Sequence, residues 1–409
     1  MSIHARSWSA SSESRVVYAA LAALFVSLTL LHFGFYHRHV IRDTVEYHRY
    51  GLAVFHGEVP YRDFRVEYPP GALPLLVLPA IGSPGIGGYQ AIFQGALTLC
   101  AVGALLAMAA ALRSLRASPE RVTGALGFFA LAPLVLGSVV IYRYDLWPAA
   151  LTVAGLSAII ARRQRLGFAA LGLGIAAKLF PGVLIPPALA YVWRSRGRRE
   201  AGLCLLSAAA SVLVLVVPFL VLAPHGLWAS IERQAHRPLQ IESLGSGILL
   251  AAHQISGLHL RMITSQGSQN LSGSLPDALG IAQSAVLAFA LLGIWTAAAL
   301  GPARPERLVR YAVASVTAFV AFDKVLSPQF MIWLIPLVPL VRGRRGLAAS
   351  GLLAVALLLT QLWFPLRYWA LVLHFAAFPS WLVLARGLVL VCLLLVLLVR
   401  EREPVPVRS

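Results

Sequence analysis

A chain of 409 residues with 59% hydrophobic and 12% charged side chains, at a mean hydropathy of +0.77, cannot cover itself with a water-facing surface. Soluble domains carry about 25% charged residues. The formal charge of +18 does not argue for nucleic acid, because the arginines form short clusters between apolar spans rather than one basic face.

Apolar runs near 16–35, 88–112, 122–141, 145–161, 166–178, 180–193, 201–222, 278–300, 309–323, 328–341, 347–365 and 380–399 predict an all-α polytopic membrane protein. About 20 apolar residues cross the hydrocarbon core, so the count is about twelve transmembrane helices. No run of ~10-residue alternating strands suggests a barrel. The polar start of the chain and its long first span read as an uncleaved helix. Cys100, Cys204 and Cys392 fall inside apolar spans, so neither a disulfide nor a metal cluster is expected.

Between the spans lie Arg113/Arg116/Arg121, Arg162/Arg163/Arg165, Arg194/Arg196/Arg198/Arg199, Arg304/Arg307/Arg310 and Arg342/Arg344/Arg345. An even number of crossings between clusters puts them all on the cytoplasmic side, with both termini there too. Residues 166–193 are too few for two comfortable crossings. Lys178-Leu179-Phe180-Pro181 interrupts them, and Pro181 disfavours helix there. Two broken helices meeting below the outer surface would leave Lys178 at the floor of an outward-open cavity. The alternative is a lysine that snorkels to the interface.

Two substantial outer segments remain, 36–87 and 223–277. In the first, Asp43, Tyr47, Tyr50 and Val54 recur on one helical face, predicting an interfacial helix that Gly57 and Pro60 end. Tyr47 and Tyr50 read as interfacial anchors. The 71–81 piece is too short to span and predicts a re-entrant or interfacial helix. Asp43, Glu46, Glu58, Asp63 and Glu67 crowd this one segment, and carboxylates beside hydrocarbon usually mark a working site. The second segment carries His225, Glu232, Arg233, His236, Arg237, Gln240, Glu242 and Ser243, then turns polar from Thr264 to Pro276, which predicts a flexible stretch. Walker-type, His-Glu-x-x-His and Gly-x-Ser-x-Gly motifs are missing, and no internal repeat is evident.

Asp43 after the first span, Gly57-x-x-Pro60-Tyr61 and Tyr68-Pro69-Pro70 together resemble the first outer loop of GT-C membrane glycosyltransferases. Lys178-Leu179-Phe180-Pro181, the run from His236 to Ser243, and Leu326-Ser327-Pro328-Gln329-Phe330 resemble, in order, glycosyltransferase family 87, the polyprenol-phosphate-mannose-dependent mannosyltransferases. The resemblance spans residues 43–330. It implies a GT-C-like bundle with interfacial helices in the first outer loop, one catalytic domain over 1–409, and residence in the plasma membrane as a multi-pass protein.

The implied reaction moves a hexosyl group, mannosyl by likeness, from a polyprenyl-phosphate donor to a hydroxyl on the outer face, with inversion. The acceptor would be a glycolipid or polysaccharide; no cofactor and no metal are implied. Asp43 carries over as the catalytic base, against the plainer reading of a helix cap. Arg237, Lys178 and Arg143 are candidates for the donor phosphate, Arg as a bidentate fork and Lys as a point charge. Arg143 has an ion pair with Asp145 as its structural alternative, and Arg237 one with Glu242. Glu46, Glu67, Tyr68, His236, Glu242 and Gln329 are candidates for acceptor or sugar contacts. The same composition also admits a lipid-linked sugar flippase or another transporter.

Overall fold

The computed structural model describes residues 10–38, 40–82 and 85–399. The expectations for the N-terminal tail and for the basic C-terminal tail lie outside them. The described chain is almost entirely helical. Seven helices are long and apolar enough to cross a membrane: Ser12–Leu30, Ile86–Ser114, Pro119–Leu136, Arg198–Leu222, Ser274–Leu300, Gly343–Trp363 and Ala377–Leu398. Four of the expected spans are instead short or interrupted: Leu146–Ile160, Gln164–Ala177, Ile185–Arg196 and the broken piece Pro328–Leu340. Pro305–Phe322 is an unbroken helix of 18 residues that carries Glu306, Arg307 and Arg310 in its first turns. Broken helices at membrane depth persist where protein or a cavity satisfies the freed backbone, and most of these lie at the centre of the bundle.

The packing follows from small residues. Gln164–Ala177 lies between Leu146–Ile160 and Arg198–Leu222, and a Cβ on Gly172 would run into the Ala208 carbonyl oxygen. Lipid offers no hydrophobic drive between helices, so this close backbone approach supplies the dispersion that holds them. Gly71 plays the same part for the re-entrant piece, where a Cβ would stand 2.5 Å from the Ala176 carbonyl carbon. Trp147 Nε1 donates to the Gly71 carbonyl at 3.2 Å and fixes that contact. By contrast, Arg198–Leu222 buries only Ala201, Cys204 and Ala208. Its outward Leu206, Val214 and Val221 face what must be hydrocarbon.

The first outer segment folds as expected into the Thr44–Phe55 helix and the short helical run Pro70–Ala80. The role of its tyrosines differs. Tyr47 and Tyr50 are buried rather than anchored at the interface, because they pack with Phe93, Tyr68, Tyr144 and Phe64. The outer helix thus turns its aromatic face into the protein.

The second outer segment is more ordered than its polarity suggests. It holds the Pro224–Ala235 and Leu244–Ser256 helices and an antiparallel hairpin, Arg261–Ser265 with Ser268–Ser272. Gln266 and Gly267 both have positive φ, 53° and 71°, the two-residue turn whose twist matches the strands. Leu271 N donates to the Leu239 carbonyl and Ile241 N to that of Gln269, so residues 239–241 act as a third strand. Asn270 is fully buried and donates to Ser265. Hydrogen bonding orders this polar stretch, together with the buried side chains of Leu239, Ile241 and Leu271.

Candidate active site

The breaks at Arg143, Lys178 and Pro328 open onto one cavity of about 530 Å³. The first outer helix brings Asp43 and Glu46 to its wall, and the turn before the re-entrant piece brings Glu67 and Tyr68. Arg143 and Tyr144 enter where Val139–Tyr142 ends and the chain becomes extended. Lys178 sits at the break after Gln164–Ala177. Arg237, Gln240 and Glu242 come from the strand-like segment, and Gln329 from the start of the Pro328–Phe330 turn. His236 is not among the lining residues; it is exposed, with Nδ1 on the Glu232 carbonyl.

Asp43 occupies the N-cap position of Thr44–Phe55 but makes no side-chain cap bond. Its Oδ2 is in an ion pair with Arg143, and Tyr47 Oη donates to it at 3.4 Å, a weak contact. The expected pairing of Arg143 with Asp145 does not form. Arg143 has extended backbone and Asp145 heads the next helix, so the two side chains diverge. Asp145, 1% exposed, accepts instead from Lys178 Nζ and from Trp333 Nε1, both at 2.7 Å on Oδ1. Three rings surround the ammonium, those of Tyr144, Phe330 and Trp333, at 4.8–5.3 Å from their centroids, a further stabilisation of the cation.

The cations of the wall therefore divide. Arg143 and Lys178 are neutralised by Asp43 and Asp145. Arg237 and Lys324 have no ion-pair partner among the described residues; Arg237 Nη1 donates to Gln234 Oε1 at 3.2 Å and Lys324 Nζ to the Ala235 carbonyl at 3.3 Å. Glu46 is tied to Arg49 by two donated bonds, which hold its carboxyl below the usual range.

Glu242 is the most buried acid on the wall. Gln240 Nε2 donates to it and also to Ser327 Oγ, and Arg386, buried in the last helix, donates to the Glu242 carbonyl. Burial pushes the Glu242 carboxyl up to about 7, against the pull of Arg386, Gln240, Arg143 and Arg237. The folded protein therefore holds a proton that the unfolded chain releases near 4.5. Stability from this group is fully present below that value and is lost as pH rises towards about 7. Glu242→Gln should flatten that decline, checked by thermal unfolding in micelles at pH 5 and pH 8. An unchanged pH slope would show that another group sets it.

A family model for glycosyltransferase family 87 matches residues 67–328, more than half of the chain. The chain belongs to glycosyltransferase family 87. It is thus a glycosyltransferase in a multi-pass helical membrane protein, and the transporter reading falls away. Arg143, Lys178, Arg237 and Glu242 lie inside the matched stretch of this family 87 protein, whereas Asp43 precedes it. Among solved structures the fold is similar to ArnT from Cupriavidus metallidurans, crystallised bound to undecaprenyl phosphate. That match has a TM-score of 0.49 and 16% identity, over 94% of this chain and 76% of that one. Nothing among the curated proteins matches.

Several residues of the family 87 cavity were not singled out in the sequence. The sequence offers Asp145 as a neighbour of Arg143, but an acid heading an apolar span is itself a signal. The adjacent Asp323 and Lys324 close an apolar helix and could have been found the same way. Trp333, Tyr368 and Trp369 carry no such mark in a chain with many aromatics.

Proposed function

We propose that the protein transfers a hexosyl group, mannosyl by family likeness, from a polyprenyl-phosphate sugar to a hydroxyl acceptor at the outer face of the plasma membrane. The observation that carries this is the pairing of Asp43 with Arg143 on a cavity wall that also exposes Leu179 and Trp369, 63% and 53% accessible. A single site thereby offers a carboxylate, cations and a path for an isoprenoid tail. The whole chain, 1–409, acts as one catalytic unit.

In the proposed step, the acceptor oxygen attacks the anomeric carbon while the bond from that carbon to the phosphate oxygen breaks. Asp43 takes the hydroxyl proton, and the electron pair leaves with polyprenyl phosphate. Arg237 meets the incoming phosphate first because no carboxylate has to be displaced from it. Arg143 and Lys178 then share the developing charge, where fixed donors act without reorganisation. Drawing Arg143 toward the phosphate also frees Asp43, which is a poor base while it remains ion-paired.

The test is transfer from radiolabelled polyprenyl-phosphate mannose in membranes containing the protein. Transfer from another hexosyl carrier alone would replace mannose; transfer from none would end the reading. Among the described residues no group of three or more His, Cys, Asp or Glu could hold a metal ion, and transfer should persist in EDTA. A strict requirement for added magnesium or manganese would contradict this.

The arginine clusters between the spans support an orientation with those clusters on the cytoplasmic side and the cavity outside. A cysteine introduced at the exposed hairpin tip, Gln266→Cys, should react with an impermeant maleimide applied to intact cells. Reaction only after lysis would reverse the orientation.

A further inference from the structure

The tip of the hairpin stands at the cavity. Gly267, Ser268 and Gln269 line it together with Glu67 and Gln234. Glu67 and Gly267 are exposed to solvent, so this polar edge is a mouth open to water. The edge is also fixed. The hairpin is held by Leu271 N donating to the Leu239 carbonyl and by Ile241 N of the strand-like segment donating to the Gln269 carbonyl. Gln234 Nε2 donates to the Glu67 carbonyl at 3.1 Å, while its Oε1 accepts from Arg237. The turn lies so close to Glu67 that a Cβ on Gly267 would strike the Glu67 carboxylate.

We infer that this edge is the acceptor subsite, and that it takes a neutral, hydroxyl-rich ring rather than an anionic group. The inference rests on the transfer reaction proposed above. Three features argue for it. Carboxylate and amide side chains offer acceptors and donors at fixed spacing, the complement of vicinal hydroxyls. The Glu67 carboxylate, which no salt bridge neutralises among the described residues, stands against the Gly267 turn and disfavours an anion at this edge. Finally, the exposed apolar side chains of the wall, Leu179 and Trp369, belong to other segments, which leaves the hairpin edge for the water-borne partner.

The subsite predicts a separation of kinetic effects. With polyprenyl-phosphate mannose as donor, the probes are octyl glycosides of mannose, glucose and galactose and an octyl hexuronide. Wild type should use at least one neutral glycoside and use the hexuronide about tenfold less well by kcat/KM. Gln269→Ala and Gly267→Ala should each raise the acceptor KM about tenfold while donor KM stays within about twofold. Glu67→Gln should narrow the gap between neutral and acidic acceptors. Thermal unfolding shows whether each variant is folded, and Gln269→Ala, which leaves the turn intact, guards against a misfolded Gly267→Ala.

Equal changes in donor and acceptor KM, or no change in either, would overturn the subsite. So would preference for the hexuronide. If wild type transfers to none of the neutral glycosides but does transfer to membrane acceptors, the subsite fails and the transferase reading stands. If wild type transfers to nothing, both fail.

Discussion

Asp43→Asn is expected to lower turnover by about 10²–10⁴-fold, the usual worth of a positioned base. The replacement keeps the shape of the side chain and removes its ability to take a proton. Its second effect is the diagnostic one. Asp43 neutralises Arg143, whose side chain is 11% exposed, and the amide cannot. A less encumbered Arg143 is better placed to meet the lipid phosphate, so the donor KM should hold or fall while kcat collapses. A helix-capping Asp43 predicts something different, because Asn caps a helix about as well as Asp: an almost unchanged unfolding temperature, a near-normal kcat and no change in donor KM. Steady-state transfer by wild type and variant at several donor concentrations separates the two. Equal turnover would remove Asp43 from the mechanism altogether.

The legibility of this chain in its sequence depended on which force set each feature. Span positions were readable because lipid imposes a length and a composition, and the helices near 88–112, 201–222 and 380–399 fall close to where the apolar runs put them. The break at Lys178 was readable for a similar reason, since Pro181 and two flanking arginine clusters leave no room for full crossings. What could not be read was pairing across the fold. Arg143 has Asp145 two residues away, yet its partner is Asp43, 100 residues earlier. Asp145 turns to Lys178 and Trp333 instead. The choice is made by backbone direction at the end of Val139–Tyr142, which no local pattern encodes. The hairpin was missed on different grounds. Its strands are polar and short, and they are held by hydrogen bonds to residues 239–241, a partner that only the folded chain supplies.

The pairing of Lys178 with Asp145 leads to a second strong effect, on stability and donor affinity at once. Lys178→Met leaves the Asp145 carboxylate almost fully buried with Trp333 Nε1 as its remaining donor among the described residues. Breaking such a pair from one side typically costs about 3–5 kcal/mol, so the single variant should unfold at markedly lower denaturant. Asp145→Leu should cost less, because the ammonium keeps three aromatic faces and is 16% exposed. The double variant, Asp145→Leu with Lys178→Met, removes both charges and should recover most of the lost stability. Its chemistry then decides the role of the lysine. A Lys178 that only balances Asp145 predicts donor KM and turnover returning together with stability. A Lys178 that also holds the lipid phosphate predicts a folded protein whose donor KM stays at least about tenfold above wild type. The second outcome is expected, because Lys178 lines the cavity while the carboxylate that holds it lies behind the wall. An ammonium placed between a buried carboxylate and an open site can swing its hydrogen bonds to an arriving anion without leaving its aromatic cage.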